Sequence, residues 1–245
     1  EKMSKSRGNV VGIDETAADN GVDAMRLFLL YVTPPEDTSD WSEEGISGRV
    51  RFLNRVWRAS EPLLTSAGAV SPRELPAAEN AEAKALLRAV HVAAKSSMDE
   101  VLSRRFHFNT TIARLDELVN AMTSAVKTLP ESRATLYAVH ALPLLLAPYA
   151  PHIAEELWSR LGHATSVHLE RMLEPDDAAL ARDEVTLVVQ VNGKIRARIA
   201  AAPGITEAEA LTLALADGNV RAQIDGKSVG KRIYVPGKLL NLVVG

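Results

Sequence analysis

The sequence contains no cysteine among its 245 residues. This excludes disulfide bonds and thiolate zinc sites within the chain, and it is compatible with a reducing cytoplasm, where we expect the protein to reside. No apolar run reaches the length of a membrane span, and no signal peptide is recognisable before Lys2. With 47% hydrophobic and 24% charged residues, the composition is typical of a soluble globular protein.

Common nucleotide-binding motifs are missing as well. The sequence has no G-x-x-x-x-G-K-[ST], no G-x-G-x-x-G and no H-x-G-H arrangement. The first residue is Glu1 rather than methionine. We therefore expect the chain to be cut from a longer protein, whose other part would hold the adenine and ribose of any nucleotide.

The most informative stretch that is present is a loop with two lysines, Lys2-Met3-Ser4-Lys5-Ser6, followed by Arg7-Gly8-Asn9. An ammonium group on a flexible stem suits an anionic phosphate oxygen, and a glycine beside it relaxes the backbone. A chance match to a given pentapeptide in a chain of this length has a probability on the order of 10⁻⁴. The alternative is a solvated lysine loop without chemistry.

Hydrophobic periodicity predicts a mainly α chain. Apolar residues recur every three to four positions through most of residues 13–162, which favours an antiparallel helix bundle with short connections. We expect Ser42 and Asn109 to cap two of these helices, and a long alanine-rich helix is expected from Asn80 to Ser103. From Val185 the period changes to two, Asn192-Gly193 predicts a hairpin turn, and Thr206-x-x-Glu209 predicts a capping box. The tail is therefore expected to be a small α+β domain.

Charge is distributed unevenly along the chain. From Glu184 onward eight basic residues face five acidic ones, a net charge of +3, which leaves −6 for the rest. Strict alternation in one tail strand predicts a basic face, with charges about 6–7 Å apart, close to a phosphate repeat. The alternative is an edge strand that is charged to prevent aggregation. The candidate nucleic-acid contacts are Lys194, Arg196, Arg198, Lys231, Arg232 and Lys238.

Other polar candidates are weaker. His152-x-x-Glu155 has the spacing of metal ligands on a helix, but further ligands are not evident, so capping or core packing is favoured and no metal site is predicted. In the helical part, Arg104, Arg105 and Arg114 are positioned to touch phosphates or to form a solvated face, and the sequence favours the solvated face.

Several motifs together resemble a known family. The loop, continued by Val10-Val11 and by Gly21-Val22-Asp23-Ala24-Met25-Arg26, is similar to class I aminoacyl-tRNA synthetases that charge aliphatic amino acids. Arg51-Phe52-Leu53-Asn54-Arg55-Val56-Trp57 and the tail segment Ile233-Tyr234-Val235-Pro236-Gly237-Lys238-Leu239 resemble the leucyl-tRNA synthetase family within that class.

This resemblance implies the C-terminal part of an enzyme that activates leucine with ATP, with magnesium in the intact protein, and transfers it to tRNA(Leu). It implies that Lys5, assisted by Lys2, acts in catalysis and that Lys2, Met3, Ser4, Lys5 and Ser6 contact ATP. It also implies three domains: a loop and connector over 1–34, an anticodon-binding-type helix bundle over 35–174, and a tRNA-binding α+β domain over 175–245.

Two alternatives remain at this point. One is a free-standing, non-catalytic tRNA-binding module, and the other is a valyl, isoleucyl or methionyl enzyme, against which the tail motif argues. The chain alone is expected to bind no cofactor and to be inactive, since it lacks the leucine pocket. We expect the intact protein to be a monomer, with the missing catalytic and editing domains as its covalent partners.

Overall fold

The computed structural model describes residues 3–65, 70–181 and 184–245. The chain divides into two compact units, residues 1–180 and 181–245, which we describe separately. Within the described ranges, none of the helices combines the length and apolar character needed to cross a membrane.

The first unit begins with two short helices that form the connector, α1 (Ile13–Asn20) and α2 (Val22–Tyr31). Gly21 separates them with a φ of 82°, a value that glycine adopts at little cost because it has no Cβ. α2 buries Ala24, Leu27 and Phe28. Its buried face packs against α3 and α5 of the helix bundle.

The bundle follows the connector. Ser42 Oγ accepts a hydrogen bond from the Gly45 N–H at 3.0 Å, so this predicted N-cap is confirmed. Asn80 Oδ1 accepts one from the Ala83 N–H at 2.9 Å, so Asn80 caps α4 instead of beginning it. The described helices are α3 (Glu43–Ser60), α4 (Ala81–Leu102), α5 (Phe108–Thr128), α6 (Arg133–Leu146), α7 (Pro151–Arg160) and α8 (Asp177–Leu180).

The predicted N-cap at Asn109 is wrong. α5 begins at Phe108, with His107 in the N-cap position, so Asn109 lies inside the first turn. The Glu100 carboxylate, from the end of α4, accepts the His107 N–H at 2.9 Å. This hydrogen bond connects the residue before α5 to the end of α4. A pattern that considers only the residues next to the helix start does not reveal it.

Packing of α3 to α7 creates the large core of the first unit. Its biggest fully buried side chains come from different helices and include Phe52, Leu86, Ile112, Tyr137 and Leu142. Burying such side chains stabilises the bundle by about 1.5–3 kcal/mol each. The predicted fold class, a mainly α chain with a small α+β domain at its end, is confirmed.

The second unit is a four-stranded mixed sheet with two helices on one face. The strand order is β2-β1-β4-β3, with β1 and β4 parallel and the outer pairs antiparallel. Asn192 and Gly193 both have positive φ, 50° and 78°, which confirms the predicted hairpin turn. The elements are β1 (Val185–Val191), β2 (Lys194–Ala201), α9 (Glu207–Ala216), α10 (Gly218–Ile224), β3 (Val229–Val235) and β4 (Leu239–Val244).

Both predicted features of α9 are present. Thr206 Oγ accepts the Glu209 N–H, and the Glu209 carboxylate accepts the Thr206 N–H at 2.8 Å, which forms the capping box. α9 and α10 cover the sheet face that carries Leu187, Val189, Leu240 and Leu242. Within residues 184–245, no helix covers the other sheet face, which we call the helix-free face.

Candidate functional site

The lysine loop folds through its own polar groups. The Ser4 N–H donates to Asn9 Oδ1 at 2.8 Å, and the hydroxyls of Ser4 and Ser6 lie 3.0 Å apart. Lys5–Arg7 forms one 3₁₀ turn, closed by the Arg7 N–H on the Ser4 carbonyl at 3.1 Å. Gly8 then reverses the chain with a φ of 66°. Asn9 was not predicted as part of this arrangement, although its place after Gly8 is a common setting for a side chain that bonds to nearby backbone.

The loop presents several of its predicted site residues to solvent. Met3 is 40% exposed, Ser6 is exposed, and Ser4 is half-buried. Lys2 and the side chain of Lys5 lie outside the described part of the structure. The roles of residues 2–6 toward ATP therefore stay predictions.

The connector attaches firmly to the bundle through one carboxylate. Asp23 in α2 is only 8% exposed, and its two oxygens accept the N–H groups of His152 at 3.3 Å and of Ile153 at 2.8 Å. Arg26 adds a hydrogen bond to the Pro148 carbonyl at 3.1 Å. Asp23 therefore caps the N-terminus of α7 from a distant part of the chain and fixes the connector on the bundle.

His152 and Glu155, the pair with metal-ligand spacing, are engaged separately. His152 Nδ1 lies 2.9 Å from Asp23 Oδ1, whereas Glu155 Oε2 accepts the Ser166 hydroxyl at 2.8 Å and the Val167 N–H at 3.0 Å. These are capping contacts. Among the described residues, no group of three or more histidine, aspartate and glutamate side chains is arranged to hold a metal ion.

The predicted basic face of β2 is wrong in its geometry. Val189 pairs with Ala197 and Gln190 pairs with Ile195, so Arg196 is the extra residue of a β-bulge. A bulge breaks the alternation of side chains, and the three cations no longer follow one strand face. Arg198 opposes Val188 on the helix-free side, together with Ile195, which is 49% exposed. Arg196 is half-buried, and its Nε has no hydrogen-bond partner among the described residues.

Two of the other predicted cations, Lys231 and Arg232, lie on β3 at the opposite edge of the sheet, whereas the Lys238 carbonyl accepts the Val188 N–H of the inner strand β1 at 2.9 Å. β2 and β3 are the two outer strands, separated by β1 and β4, a span of about 14 Å at the usual strand spacing. Lys231 opposes Val243 and Arg232 opposes Leu242, while Lys238 precedes β4. All three are exposed. The six predicted cations therefore do not form one patch.

Between these edges, the helix-free sheet face is partly apolar. Ile195, Ile233, Val235 and Val243 are each between 37% and 49% exposed. The alternation of Ile195 with Ala197 and Ile199 predicts that all three share one apolar strand face. The bulge at Arg196 moves Ile195 to the other face, a displacement that no local sequence signal indicates.

A buried polar network lies inside the first unit. His91 Nδ1 accepts the Asp176 N–H at 3.1 Å, so Nε2 carries the proton and donates to the Tyr137 hydroxyl oxygen at 2.9 Å. Burial lowers the pKa of His91, although the charge of Asp176 opposes this effect. Burial also raises the pKa of Tyr137 to about 12. Both groups are held neutral, and they attach the segment before α8 to α4 and α6.

Comparison with known proteins identifies the class. Residues 83–211, from α4 into α9, match the family described as the anticodon-binding domain of tRNA ligases. The match covers more than half of the chain, so the chain belongs to this family.

Comparison with individual proteins is more specific than comparison with the family. The chain is 48% identical to a leucine–tRNA ligase of Geobacter sp. (strain M21), over 99% of this chain and 30% of that protein. It is 44% identical to a leucine–tRNA ligase of Trichormus variabilis, over 99% of this chain and 27% of that protein. The chain thus spans about 30% of the length of such relatives.

A solved structure has the same fold over the whole chain. It is the crystal structure of the ternary complex of Agrobacterium radiobacter K84 agnB2 LeuRS–tRNA–LeuAMS. The TM-score is 0.83 at 30% identity, with 100% of this chain and 32% of that chain covered.

Proposed function

We propose that this chain is the part of a leucine–tRNA ligase that carries the lysine loop and contacts tRNA. The observation that carries the proposal is the 48% identity to a leucine–tRNA ligase over nearly the entire chain. In this reaction the leucine carboxylate attacks the α-phosphate of ATP, pyrophosphate leaves, and the leucyl group then passes to a terminal ribose hydroxyl of tRNA.

The chemical role that we propose for the loop is electrostatic. Negative charge moves onto the β- and γ-phosphates as pyrophosphate departs, so ammonium groups placed there stabilise the transition state more than bound ATP. Lys5 would supply the main contact and Lys2 would assist, with Met3, Ser4 and Ser6 lining the nucleotide. Support for this role comes from the exposed loop, in which the backbone turn is set by Ser4 and Asn9. Magnesium is expected to arrive with the ATP phosphates in the intact enzyme.

The nucleic-acid role that we propose rests on both units. The solved neighbour is a complex that contains tRNA, and this supports tRNA as the partner of this chain. The cations at the two sheet edges, Arg198 on one and Lys231 on the other, would position phosphates without reading bases. We propose the cytoplasm as the location and a monomer as the working form.

The test is aminoacylation by the intact protein that carries this chain. We expect leucine to be attached to tRNA(Leu), with valine, isoleucine and methionine as the comparison amino acids and with the chain alone inactive. Charging of another amino acid in preference to leucine would contradict the proposal. Binding of tRNA without any charging by the intact protein would favour the non-catalytic module instead.

A further inference from the structure

The last two residues of α4 and the turn that follows them, residues 101–106, which we call the α4–α5 turn, combine exposed apolar and cationic side chains. Leu102 is 73% exposed, Val101 is 44% exposed and Phe106 is 43% exposed. Arg104 and Arg105 are exposed as well. An aromatic ring left in water beside two guanidinium groups is the combination that RNA-binding proteins use, because the ring stacks on a base and the guanidinium groups bind phosphates.

The backbone of this turn is strained. Arg104 and Phe106 both have a φ of 56°, a left-handed conformation that is uncommon for residues other than glycine, asparagine and aspartate. Such conformations persist where the surrounding structure enforces them, and they concentrate at binding sites. Here the Phe106 N–H donates to the Glu100 carbonyl at 3.4 Å, and the Phe108 N–H donates to the Phe106 carbonyl at 2.8 Å. The strained turn is thus held in one shape.

The acidic groups next to the turn are already engaged. Asp99 pairs with Lys95 at 3.2 Å, and Glu100 accepts the His107 N–H. Arg114, one turn into α5, is also neutralised, because both Glu117 oxygens lie within 2.9 Å of its Nη1. The guanidinium groups of Arg104 and Arg105 make no hydrogen bond or ion pair with the described residues, and the Arg104 backbone N–H donates to the Val101 carbonyl at 3.3 Å. They are therefore available to an anionic partner, although this part of the chain is acidic overall.

The turn also lies beside the segment that follows the connector. His107 Nε2 is 2.7 Å from Glu36 Oε1, so the start of α5 is fastened to a residue a few positions after α2. The same connector carries the lysine loop at its other end.

We propose that the α4–α5 turn is an RNA contact, in which Phe106 stacks on an unpaired base of the tRNA and Arg104 and Arg105 bind adjacent phosphates. The inference rests on the proposed function, since tRNA is the partner that the proposed function supplies. It adds a surface that the basic residues of the second unit do not include. The alternative is that another protein segment covers this turn, and the experiment below distinguishes a protein contact from an RNA contact.

The experiment measures binding of tRNA(Leu) by the intact ligase across a range of salt concentrations. Phe106→Asn removes the ring and its packing on Phe108, with ring centroids 5.8 Å apart, while asparagine tolerates the left-handed backbone; urea unfolding of the variant checks that it folds. We expect affinity to fall about tenfold or more, with an unchanged salt dependence, because stacking is not ionic. Phe106→Tyr should bind like the wild type.

A charge variant tests the arginines separately. In Arg104→Asn with Arg105→Gln, the slope of log affinity against log salt should become shallower by about 1–2 units, since two phosphate contacts are lost. The matched control is Lys127→Gln with Arg133→Gln, two exposed cations at the other end of α5, which should change neither quantity.

Three results would overturn the inference. The first is wild-type affinity in Phe106→Asn when the wild-type enzyme itself binds and charges tRNA. The second is a loss of leucine-dependent ATP–pyrophosphate exchange in Phe106→Asn at unchanged tRNA affinity. This result would mean that the turn contacts another protein segment and not tRNA. The third is an intact wild-type protein that neither binds nor charges tRNA, and this result would remove the proposed function as well.

Discussion

The Asp23 carboxylate and the Ile153 N–H form a hydrogen bond of 2.8 Å across 130 residues of sequence. The same carboxylate receives the His152 N–H and lies against the His152 ring. One acidic side chain from the connector therefore completes the first turn of a helix in the bundle. Through this cap, the segment that carries the lysine loop acquires a fixed position on the helices.

Removal of this cap should destabilise the first turn of α7 and the attachment of α2 to the bundle. In Asp23→Ala we expect the first turn of α7 to lose its acceptor and the unfolding free energy to fall by about 1–2 kcal/mol, the cost of deleting a helix N-cap. Hydrogen exchange at the His152 and Ile153 amides reports the local effect, and urea unfolding reports the global one. Asp19→Ala, an exposed change at the end of α1, is the control. Equal protection of both amides in the variant and the wild type would refute the capping role.

The capping box of α9 gives a prediction for one carboxyl group. The Thr206 N–H and then the Thr206 hydroxyl lower the pKa of Glu209, so Thr206→Ala should raise this pKa part of the way back to its ordinary range. A carbon-detected NMR titration of the Glu209 carboxyl measures the change. Thr212→Ala should leave it unaltered, since the Thr212 hydroxyl bonds to the Ala208 carbonyl within the helix. A Glu209 pKa that does not respond to Thr206→Ala would contradict the observed contact.

The His91 network predicts a dependence of stability on pH. Burial lowers the pKa of His91 in the folded state, so the unfolded chain takes up a proton at a higher pH than the folded one. The stabilisation is complete above about pH 6.5 and is lost as the pH falls below that value toward the lowered pKa. We expect the unfolding free energy of His91→Gln, measured by urea unfolding at several pH values, to fall less steeply with decreasing pH than that of the wild type.

The control for His91 is His168→Gln, at an exposed position, which should keep the wild-type pH profile. A profile for His91→Gln as steep as that of the wild type would mean that other groups cause the acid loss.

The bulge in β2 separates the roles of two neighbouring arginines. Arg198 is exposed on the helix-free sheet face, whereas Arg196 is the half-buried bulge residue. If the second unit binds tRNA through phosphates, Arg198→Gln in the whole chain should reduce the salt slope of tRNA binding by about one unit. Arg196→Gln should alter it less and should mainly affect thermal stability. Affinity that does not vary with salt in the wild type would argue against phosphate contacts altogether.

Local signals predicted much of the second unit. Asn192-Gly193 determined the hairpin, and Thr206 with Glu209 determined the start of α9, because each feature depends only on residues next to one another. The bulge at Arg196 was missed, since the alternation of Lys194 to Ile199 is perfect in sequence and the register depends on β1. The contacts of Asp23 were missed for a related reason: a cap contributed from 130 residues away has no local pattern.

In the candidate site, the loop motif predicts which residues meet ATP, and this stays a prediction, whereas the hydrogen bond of Asn9 to the Ser4 N–H is visible only in the fold. The same holds for the α4–α5 turn. Arg104 and Arg105 looked like part of a solvated face in sequence. The structure distinguishes them from Arg114, whose guanidinium group is paired with Glu117. It also shows that Phe106, beside them, is partly exposed and has a left-handed backbone conformation.

The most direct test of the central claim is leucine-dependent ATP–pyrophosphate exchange by the intact enzyme with Lys5→Ala, beside Lys127→Ala as a control at the far end of the bundle. We predict that Lys5→Ala slows adenylate formation by on the order of 10²–10³-fold or more with a smaller change in ATP affinity, while the control matches the wild type. Exchange at the wild-type rate in Lys5→Ala would contradict the assignment of the loop to the departing pyrophosphate.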